Sequence, residues 1–152
     1  MKNNYARFGA MILTSTIVMY GLMYLNTYSL DHIFPSETRV YMAILMGAVM
    51  AIIMLSFMLK MYTNKKVNIG IYAGSILVSV IALSLVRSQS TVDDTSWMKA
   101  MIPHHSIAIL TSERANIEDP RVKELSDSII EAQRKEITEM KTLIKDLEEE
   151  KE

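Results

Sequence analysis

Long apolar runs are followed along the chain by amphipathic runs, and together they predict an all-α protein. Three runs carry almost no polar side chain: residues 8–25, 40–59 and 69–86. Each has about 18 to 20 residues, the length that a helix needs to cross roughly 30 Å of hydrocarbon. The 64 residues that follow could not cover three such helices as the core of a soluble domain. The pattern therefore predicts three transmembrane helices and a lipid bilayer as their surroundings.

The second half of the chain has the pattern of a helical hairpin. No Gly occurs from residue 94 onward, and residues 116–120 interrupt the helical pattern once. Asp119 suits an N-cap and Pro120 suits the first helical position, so the second helix is expected to begin there. Its apolar face comprises Val122, Leu125, Ile129, Ala132, Met140, Leu143 and Leu147.

The width of this apolar face predicts a partner for the hairpin. Two helices totalling about 55 residues expose too much of their surface to enclose such a face alone. Two hairpins from two subunits would form a four-helix bundle, in which facing helices can build a metal site. Packing of the hairpin on the apolar helices of its own chain is the alternative. The first solution predicts a homodimer.

Charge divides the chain into residues 1–88, the predicted membrane domain, and residues 89–152, the predicted hairpin domain. The first part has seven Lys or Arg and two Asp or Glu, and the second has nine and fifteen, which gives +5 and −6. Lys2 and Arg7 precede the first span, and residues 60–66 contain three Lys. Residues 26–39, by contrast, hold Asp31, Glu37 and a single Arg39. Because cytoplasmic loops retain Lys and Arg, the amino terminus is expected inside and residues 87–152 outside the cytoplasm.

Composition restricts the chemistry that is available. The chain has no Cys, so thiolate metal sites and disulfides are excluded. No Lys and Arg cluster is interleaved with aromatic residues, so nucleic acid is not an expected partner. Thirteen Met and three His remain for soft-metal chemistry. Five of these Met recur every four residues in the second span and spiral around the helix, which favours packing over a copper path: Met42, Met46, Met50, Met54 and Met58.

Soft donors and imidazoles lie together on the first hairpin helix. Met98, Met101 and His105 are spaced by three and four residues and share one face, and His104 lies one step around the helix. Thioether and imidazole donors together are typical of a copper site, Cu(I) in particular. This face therefore predicts a metal site.

Polar residues also lie on or beside the apolar face of the second hairpin helix. Gln133, Glu136 and Met140 occur at i, i+3 and i+7. A carboxylate in this position is costly unless it is paired or ligates a metal, and pairing with Lys141 or Arg134 is the alternative. Each residue has a structural explanation when it is taken singly, whereas two His, three Met and a carboxylate on one hairpin favour a metal site. No general base accompanies a nucleophile, so we expect a binding protein rather than an enzyme.

The hairpin also resembles a known family of bacterial proteins, the domain-of-unknown-function 305 family. Its pattern is Met-Ile-x-His-His-x-x-Ala, then Pro, a Leu/Ile repeat and Gln-x-x-Glu-Ile-x-x-Met. The matching positions here begin with Trp-Met-Lys-Ala-Met-Ile-Pro-His-His-Ser-Ile-Ala-Ile at residues 97–109 and continue with Pro120, Leu125, Ile129, Gln133, Glu136, Ile137 and Met140. The resemblance covers about residues 94–147.

The resemblance implies a ferritin-like helical bundle that in bacteria is usually periplasmic or membrane-attached and is linked in some members to copper binding and copper tolerance. Carried over by position, it implies the ligands Met101, His104, His105 and Met140, with Met98, Gln133 and Glu136 near them. The expected function is copper sequestration, sensing or handover to an envelope copper-handling protein. The alternative is a membrane-anchored interaction module that oligomerises without metal.

The charge pattern yields a topology test. A reporter enzyme that is active only outside the cytoplasm should be active when fused after Glu152 and inactive when inserted at Asn64, because Lys and Arg hold the second loop inside. Both fusions are assayed in the same cells, and a reporter that works only in the cytoplasm should give the reverse result. If the two fusions exchange activities, the extracytoplasmic copper hypothesis fails.

Overall fold

The computed structural model describes residues 2–150, and the side chains of residues 4–150. These residues form five α-helices and one short 3-10 helix and contain no strand, which confirms the all-α prediction. The elements are α1 (Lys2–Leu22), the 3-10 helix Leu30–His32, α2 (Glu37–Phe57), α3 (Lys65–Ser88), α4 (Asp94–Arg114) and α5 (Pro120–Glu149). Residues 151 and 152 of the predicted hairpin domain lie outside the described residues.

The chain divides into two compact units. The first consists of Met1–Met23 and Thr38–Thr91, and it contains α1, α2 and α3. The second consists of Tyr24–Glu37 and Val92–Glu152, and it contains α4 and α5. The loop between α1 and α2 therefore belongs with the hairpin rather than with the helices that flank it.

Helices α2 and α3 are long and apolar enough to cross a membrane. Two hydrogen-bonded contacts join them: the Thr38 hydroxyl donates to Oε1 of Gln89 at 3.1 Å, and the Tyr41 and Thr91 hydroxyls lie 2.9 Å apart. The start of α2 and the end of α3 thus lie side by side, as in a helical hairpin.

Helix α1 differs from the predicted first span at its end. It stops at Leu22, whereas the predicted span runs to residue 25. Its first two turns are mostly polar, so the apolar part begins at Phe8 and has about 15 residues. At 1.5 Å per residue, this part is about 22 Å long. That is shorter than the hydrocarbon of a bilayer. Length and composition support two spans, and the crossing by α1 stays a prediction.

A buried cluster holds the first unit together. Phe8 of α1, Leu55 of α2 and Tyr62 of the following turn are almost fully buried in it. Met54 and Met58, two of the five methionines that recur every four residues in the second predicted span, pack against the same cluster. These two side chains act as apolar filler, a role that the flexible thioether suits.

Both hairpin helices begin with a capping Asp residue, and the cap of α5 lies where the sequence predicts it. The Asp119 carboxylate accepts from the backbone N–H of Arg121 at 2.9 Å, and Pro120 is the first residue of the helix. Asp93 caps α4 in the same way, by accepting from the N–H of Ser96 at 2.7 Å. Each cap satisfies an amide that the helix itself leaves without a partner.

The core of the second unit is built from three segments. It comprises Met98, Ile102 and Ile109 of α4 with Ile137, Met140 and Ile144 of α5. The third segment is the loop Tyr24–Glu37, which we call the strap. Phe34 of the strap packs against the core cluster, together with side chains of both helices. The strap thus supplies apolar cover that two helices alone lack.

Gly47 permits close contact between α1 and α2. A Cβ atom at this position would overlap Oγ1 of Thr16 and lie 3.3 Å from the Thr16 Cβ. At Gly74, by contrast, an added Cβ would meet no described atom within 4 Å apart from its chain neighbours and the nearby backbone of its own helix. The two glycines therefore have the same backbone preference and opposite steric surroundings.

This contrast predicts the effect of Gly47→Ala on the full chain in detergent. Overpacking costs about 1 to 3 kcal/mol, which exceeds the gain of up to about 1 kcal/mol in helix propensity, so the melting temperature should fall. The matched control is Gly74→Ala, which gains the same propensity without the overlap and should melt at or above the wild-type temperature. Equal melting temperatures for the two variants would contradict the close contact at Gly47.

Candidate metal centre

His105 of α4 and Glu136 of α5 face each other across the hairpin. The imidazole Nε2 lies 2.6 Å from Oε2 of Glu136. The His105 side chain is 16% exposed and the Glu136 side chain 52%. The carboxylate therefore reaches the imidazole from the solvent side of the pair.

The other ring nitrogen of His105 is the unusual atom of the site. Nδ1 is buried and has no hydrogen-bond partner among the described residues. Because an ionised carboxylate only accepts, Nε2 carries the hydrogen in the neutral imidazole, and Nδ1 then keeps its lone pair. Most buried polar atoms are hydrogen-bonded, so this lone pair needs an explanation. A carboxylate on the far nitrogen is also how proteins orient imidazoles that ligate a metal.

The alternative partners of Glu136 are engaged elsewhere. Lys141 forms an ion pair with Asp31 of the strap at 2.5 Å, and Arg134 forms one with Glu113 at 2.5 Å. The pairing of Glu136 with Lys141 or Arg134, left open by the sequence, is therefore not the one that the structure contains. The carboxylate is committed to His105 instead.

One helical turn from this pair, each helix carries a methionine. Met101 precedes His105 by four residues, and Met140 follows Glu136 by four residues. Because α4 and α5 are antiparallel, both steps lead in the same direction along the hairpin. Met140 is 7% exposed and belongs to the core cluster, and Met101 packs against that cluster. Two thioethers and one imidazole thus occupy neighbouring turns of facing helices.

The other predicted site residues lie at different depths. Met98 is buried in the same core cluster, and Gln133 is half-buried one turn before Glu136. His104 is exposed, and its ring centroid lies 6.3 Å from that of His105. The structure therefore brings the methionines and His105 to one region and leaves His104 at its edge.

Oxygen and nitrogen ligands alone do not make a site here. Among residues 2–150, no group of three or more His, Cys, Asp or Glu side chains could hold a metal ion. Thioethers are the further donors that this hairpin offers beside His105. Thioethers are poor ligands for hard cations and good ligands for Cu(I).

His32 is a further residue of this unit, to which the sequence pattern assigned no role. Its Nδ1 lies 2.9 Å from Oγ of Ser106, which also accepts from the backbone N–H of Tyr28 at 2.7 Å. Burial lowers the pKa of His32 below 6.5, and the positive charge of Lys141 acts in the same direction. Ser106 is fully buried, so this pair fastens the strap and does not present a nucleophile to a substrate.

Comparison with known proteins identifies the family. Residues 82–152 match the model described as Domain of unknown function (DUF305). Uncharacterized protein L153 of Acanthamoeba polyphaga mimivirus is 31% identical over 142 residues, which cover 89% of this chain and 91% of that protein. The chain therefore belongs to the family of that protein, and its residues 82–152 form a DUF305 domain. No solved structure matches the chain.

These comparisons confirm the resemblance seen in the hairpin sequence. The matched domain contains all of α4 and the described part of α5, and it begins within the last turns of α3. The similarity to the mimivirus protein extends well beyond the hairpin, because it covers most of the chain. The helices of the first unit are thus part of what the two proteins share.

Proposed function

We propose that this chain is a membrane-anchored protein that binds copper, as Cu(I), at the hairpin α4–α5. The site consists of His105, Met101 and Met140, with Glu136 orienting the imidazole. His104, Met98 and Gln133 lie beside these ligands and complete the set that the sequence predicts. Sequestration, sensing or handover to another envelope protein are the functions that such a site serves, and no catalytic step is part of the proposal.

The observation that carries the proposal is the state of His105. Its Nε2 is 2.6 Å from a carboxylate, and its buried Nδ1 has no partner among the described residues. A core histidine without a ligand would leave this acceptor unsatisfied, at a cost of about 1 to 3 kcal/mol. A metal ion on Nδ1 would satisfy it, and Glu136 would then hold the ring and increase its basicity.

The membrane part of the proposal has three spans, with the amino terminus in the cytoplasm and the hairpin outside. The lengths and compositions of α2 and α3 support two of them. Lys60 between α2 and α3, together with Lys65 and Lys66 at the start of α3, favours a cytoplasmic position for that turn. The bacterial inner membrane is the proposed location, as the family resemblance implies.

A homodimer is the proposed assembly, with two hairpins forming a four-helix bundle. Three large side chains of the predicted apolar face stay exposed in the single chain: Val122 at 50%, Leu125 at 59% and Leu143 at 45%. Exposed apolar positions on a helix that is otherwise packed favour association with a second surface.

The same exposed positions also favour the second candidate function, an interaction module without metal. In that case the hairpin would bind another copy or another envelope protein through α5. The unpartnered Nδ1 of His105 would then have no role. Metal titration separates the two functions because only the first predicts saturable Cu(I) binding.

A Cu(I) titration of the full chain in detergent should show which side chains of the site ligate the metal and which only pack in the core. His105→Gln should remove most Cu(I) binding, and Glu136→Gln should weaken it by about 10- to 100-fold because the ring loses its charged partner. Met101→Leu keeps the side-chain volume and should weaken Cu(I) much more than Zn. Binding should also weaken in acid, because a protonated imidazole cannot ligate.

Two controls accompany this titration. Met61→Leu makes the same exchange at an exposed position of the first unit and should leave Cu(I) affinity unchanged. Replacing His104 and His105 together by Gln tests the whole imidazole set. Unchanged Cu(I) affinity in this double variant would disprove the copper assignment and favour the interaction module.

The dimer can be tested by sedimentation of the full chain in detergent. The wild type should sediment as a dimer, and Leu125→Glu should shift it toward monomer, because a carboxylate at an exposed apolar position would be buried in the interface. Lys135→Glu introduces the same side chain at an exposed polar position and should leave the dimer intact. A wild type that is monomeric at all concentrations would contradict the dimer.

A further inference from the structure

Two methionines of the core cluster, Met98 and Met140, form what we call the methionine cluster, and they are closed to solvent. Met98 is 5% exposed and Met140 is 7% exposed. A metal ion that approaches from water therefore cannot reach these thioethers unless a covering segment moves. The cover consists of α4 and α5, which hold each other along their length, and of the strap, which has only one turn of 3-10 helix. The strap is the segment that can open at the lowest cost.

A few side chains fasten the strap to the hairpin. Phe34 supplies the apolar contact with the core cluster. Asp31 forms an ion pair with Lys141 at 2.5 Å. The Tyr28 hydroxyl accepts from Arg134 at 3.2 Å, and the guanidinium lies 5.1 Å from the Tyr28 ring centroid. Most of these groups are exposed, so each contact is weak by itself.

Two groups of the strap contact the same buried atom of α4. Oγ of Ser106, which is fully buried, lies 2.7 Å from the Tyr28 amide and 2.9 Å from Nδ1 of His32. Releasing the strap would separate both groups from Ser106 at once. This buried contact of the strap therefore includes a titratable side chain, His32.

We infer that the strap is a lid over the methionine cluster, closed by unprotonated His32 and released in acid. The metal-access part of this inference rests on the proposed function, whereas the acid release does not. When the strap is closed, Phe34 packs against the core cluster that contains Met98 and Met140, and when it opens, these thioethers become accessible to a metal ion.

The charges around His32 determine the direction of the switch. The cavity beside it, about 570 Å³ in volume, is lined by Arg134, Lys141 and Lys145 of α5 and also by Asp146. Helix α4 contributes the apolar Ile109 to the lining, and the strap contributes Asp31, whose Oδ2 lies 3.9 Å from Nε2 of His32. Three cations and two carboxylates therefore surround the imidazole, and a proton on it adds a fourth positive charge.

Linkage gives the pH range of the release. Burial, Lys141 and Arg134 together lower the pKa of His32 in the closed strap, although Asp31 opposes them. In the released strap the imidazole is hydrated and its pKa returns to about 6.5. The released state therefore binds the proton more tightly. Closure is fully favoured above pH 6.5 and loses free energy as the pH falls below that value.

Asp31 titrates in a separate range. Hydrogen bonds from Lys141 and Ser29 lower the pKa of Asp31 to about 2 from 3.8. This contact stabilises the closed strap above pH 3.8 and is lost only between pH 3.8 and about 2. Between pH 7.5 and 5.5, His32 is thus the strap residue whose charge changes.

Hydrogen exchange of the metal-free full chain in detergent tests the release. Protection factors of strap amides, corrected for the intrinsic exchange rate, should fall between pH 7.5 and 5.5 by up to about tenfold, since the released state gains a factor of ten per pH unit below 6.5. His32→Gln keeps a polar group near Ser106 and should abolish the fall. His104→Gln removes an exposed imidazole from α4 and should retain it. Protection that is independent of pH in the wild type, or a fall that persists in His32→Gln, would overturn the switch.

Cu(I) association rates at pH 7.5 test the lid. Phe34→Ala should load Cu(I) severalfold faster than the wild type, because the strap opens more often. If Cu(I) binds and Phe34→Ala loads at the wild-type rate, the lid is disproved and the proposed function stands. If neither protein binds Cu(I), the proposed function fails, and the exchange experiment alone decides whether the strap is an acid-released segment.

Discussion

Two antiparallel helices cannot enclose a core, and the second unit of this protein is arranged around that constraint. Helices α4 and α5 bury isoleucine and methionine side chains between them, yet each presents more apolar surface than the other can cover. The strap covers part of this apolar surface, since Phe34 packs on the cluster and Ser106 accepts a hydrogen bond from the strap backbone. Exposed Leu125 and Val122 show where the single chain leaves apolar surface uncovered. A metal site built inside such a core is closed to solvent by the same residues that cover the core. The strap therefore determines both how the core is covered and how a metal ion reaches the site.

The strap also connects the core of the hairpin to the topology of the chain. It lies between α1 and α2, whereas the hairpin follows α3, so two segments far apart in sequence must reach the same compartment to form one unit. The contact of Thr38 with Gln89 shows that the start of α2 and the end of α3 are adjacent. If α2 and α3 both cross the bilayer, they return the chain to the side on which the strap lies. This condition holds whether or not α1 crosses.

Periodicity and capping determined what could be predicted from the sequence. The start of α5 at Pro120 follows from the local chemistry of Asp119, and α2 and α3 follow from uninterrupted apolar runs. Met23, Tyr24 and Leu25 continue the apolar pattern of the predicted first span, although they lie beyond the end of α1. The strap could not be predicted, since its contacts with the hairpin join residues more than 70 positions apart. For the same reason Glu136 was considered with Lys141 and Arg134, whose carboxylate partners come from the strap and from α4.

The three histidines of the chain illustrate how surroundings assign different chemistry to one side chain. His104 is exposed, His105 pairs with a carboxylate and has a buried Nδ1 without a partner among the described residues, and His32 lies beside Ser106 and a cavity lined by both cations and carboxylates. Loss of a proton from His32 favours the closed strap, and an unprotonated His105 is the form that can ligate a metal. Under the proposed function, both effects favour retention of the metal at neutral pH. Acid would open the strap and compete with the metal for His105 together, so the second unit would release its metal over a narrower pH range than either histidine could produce alone.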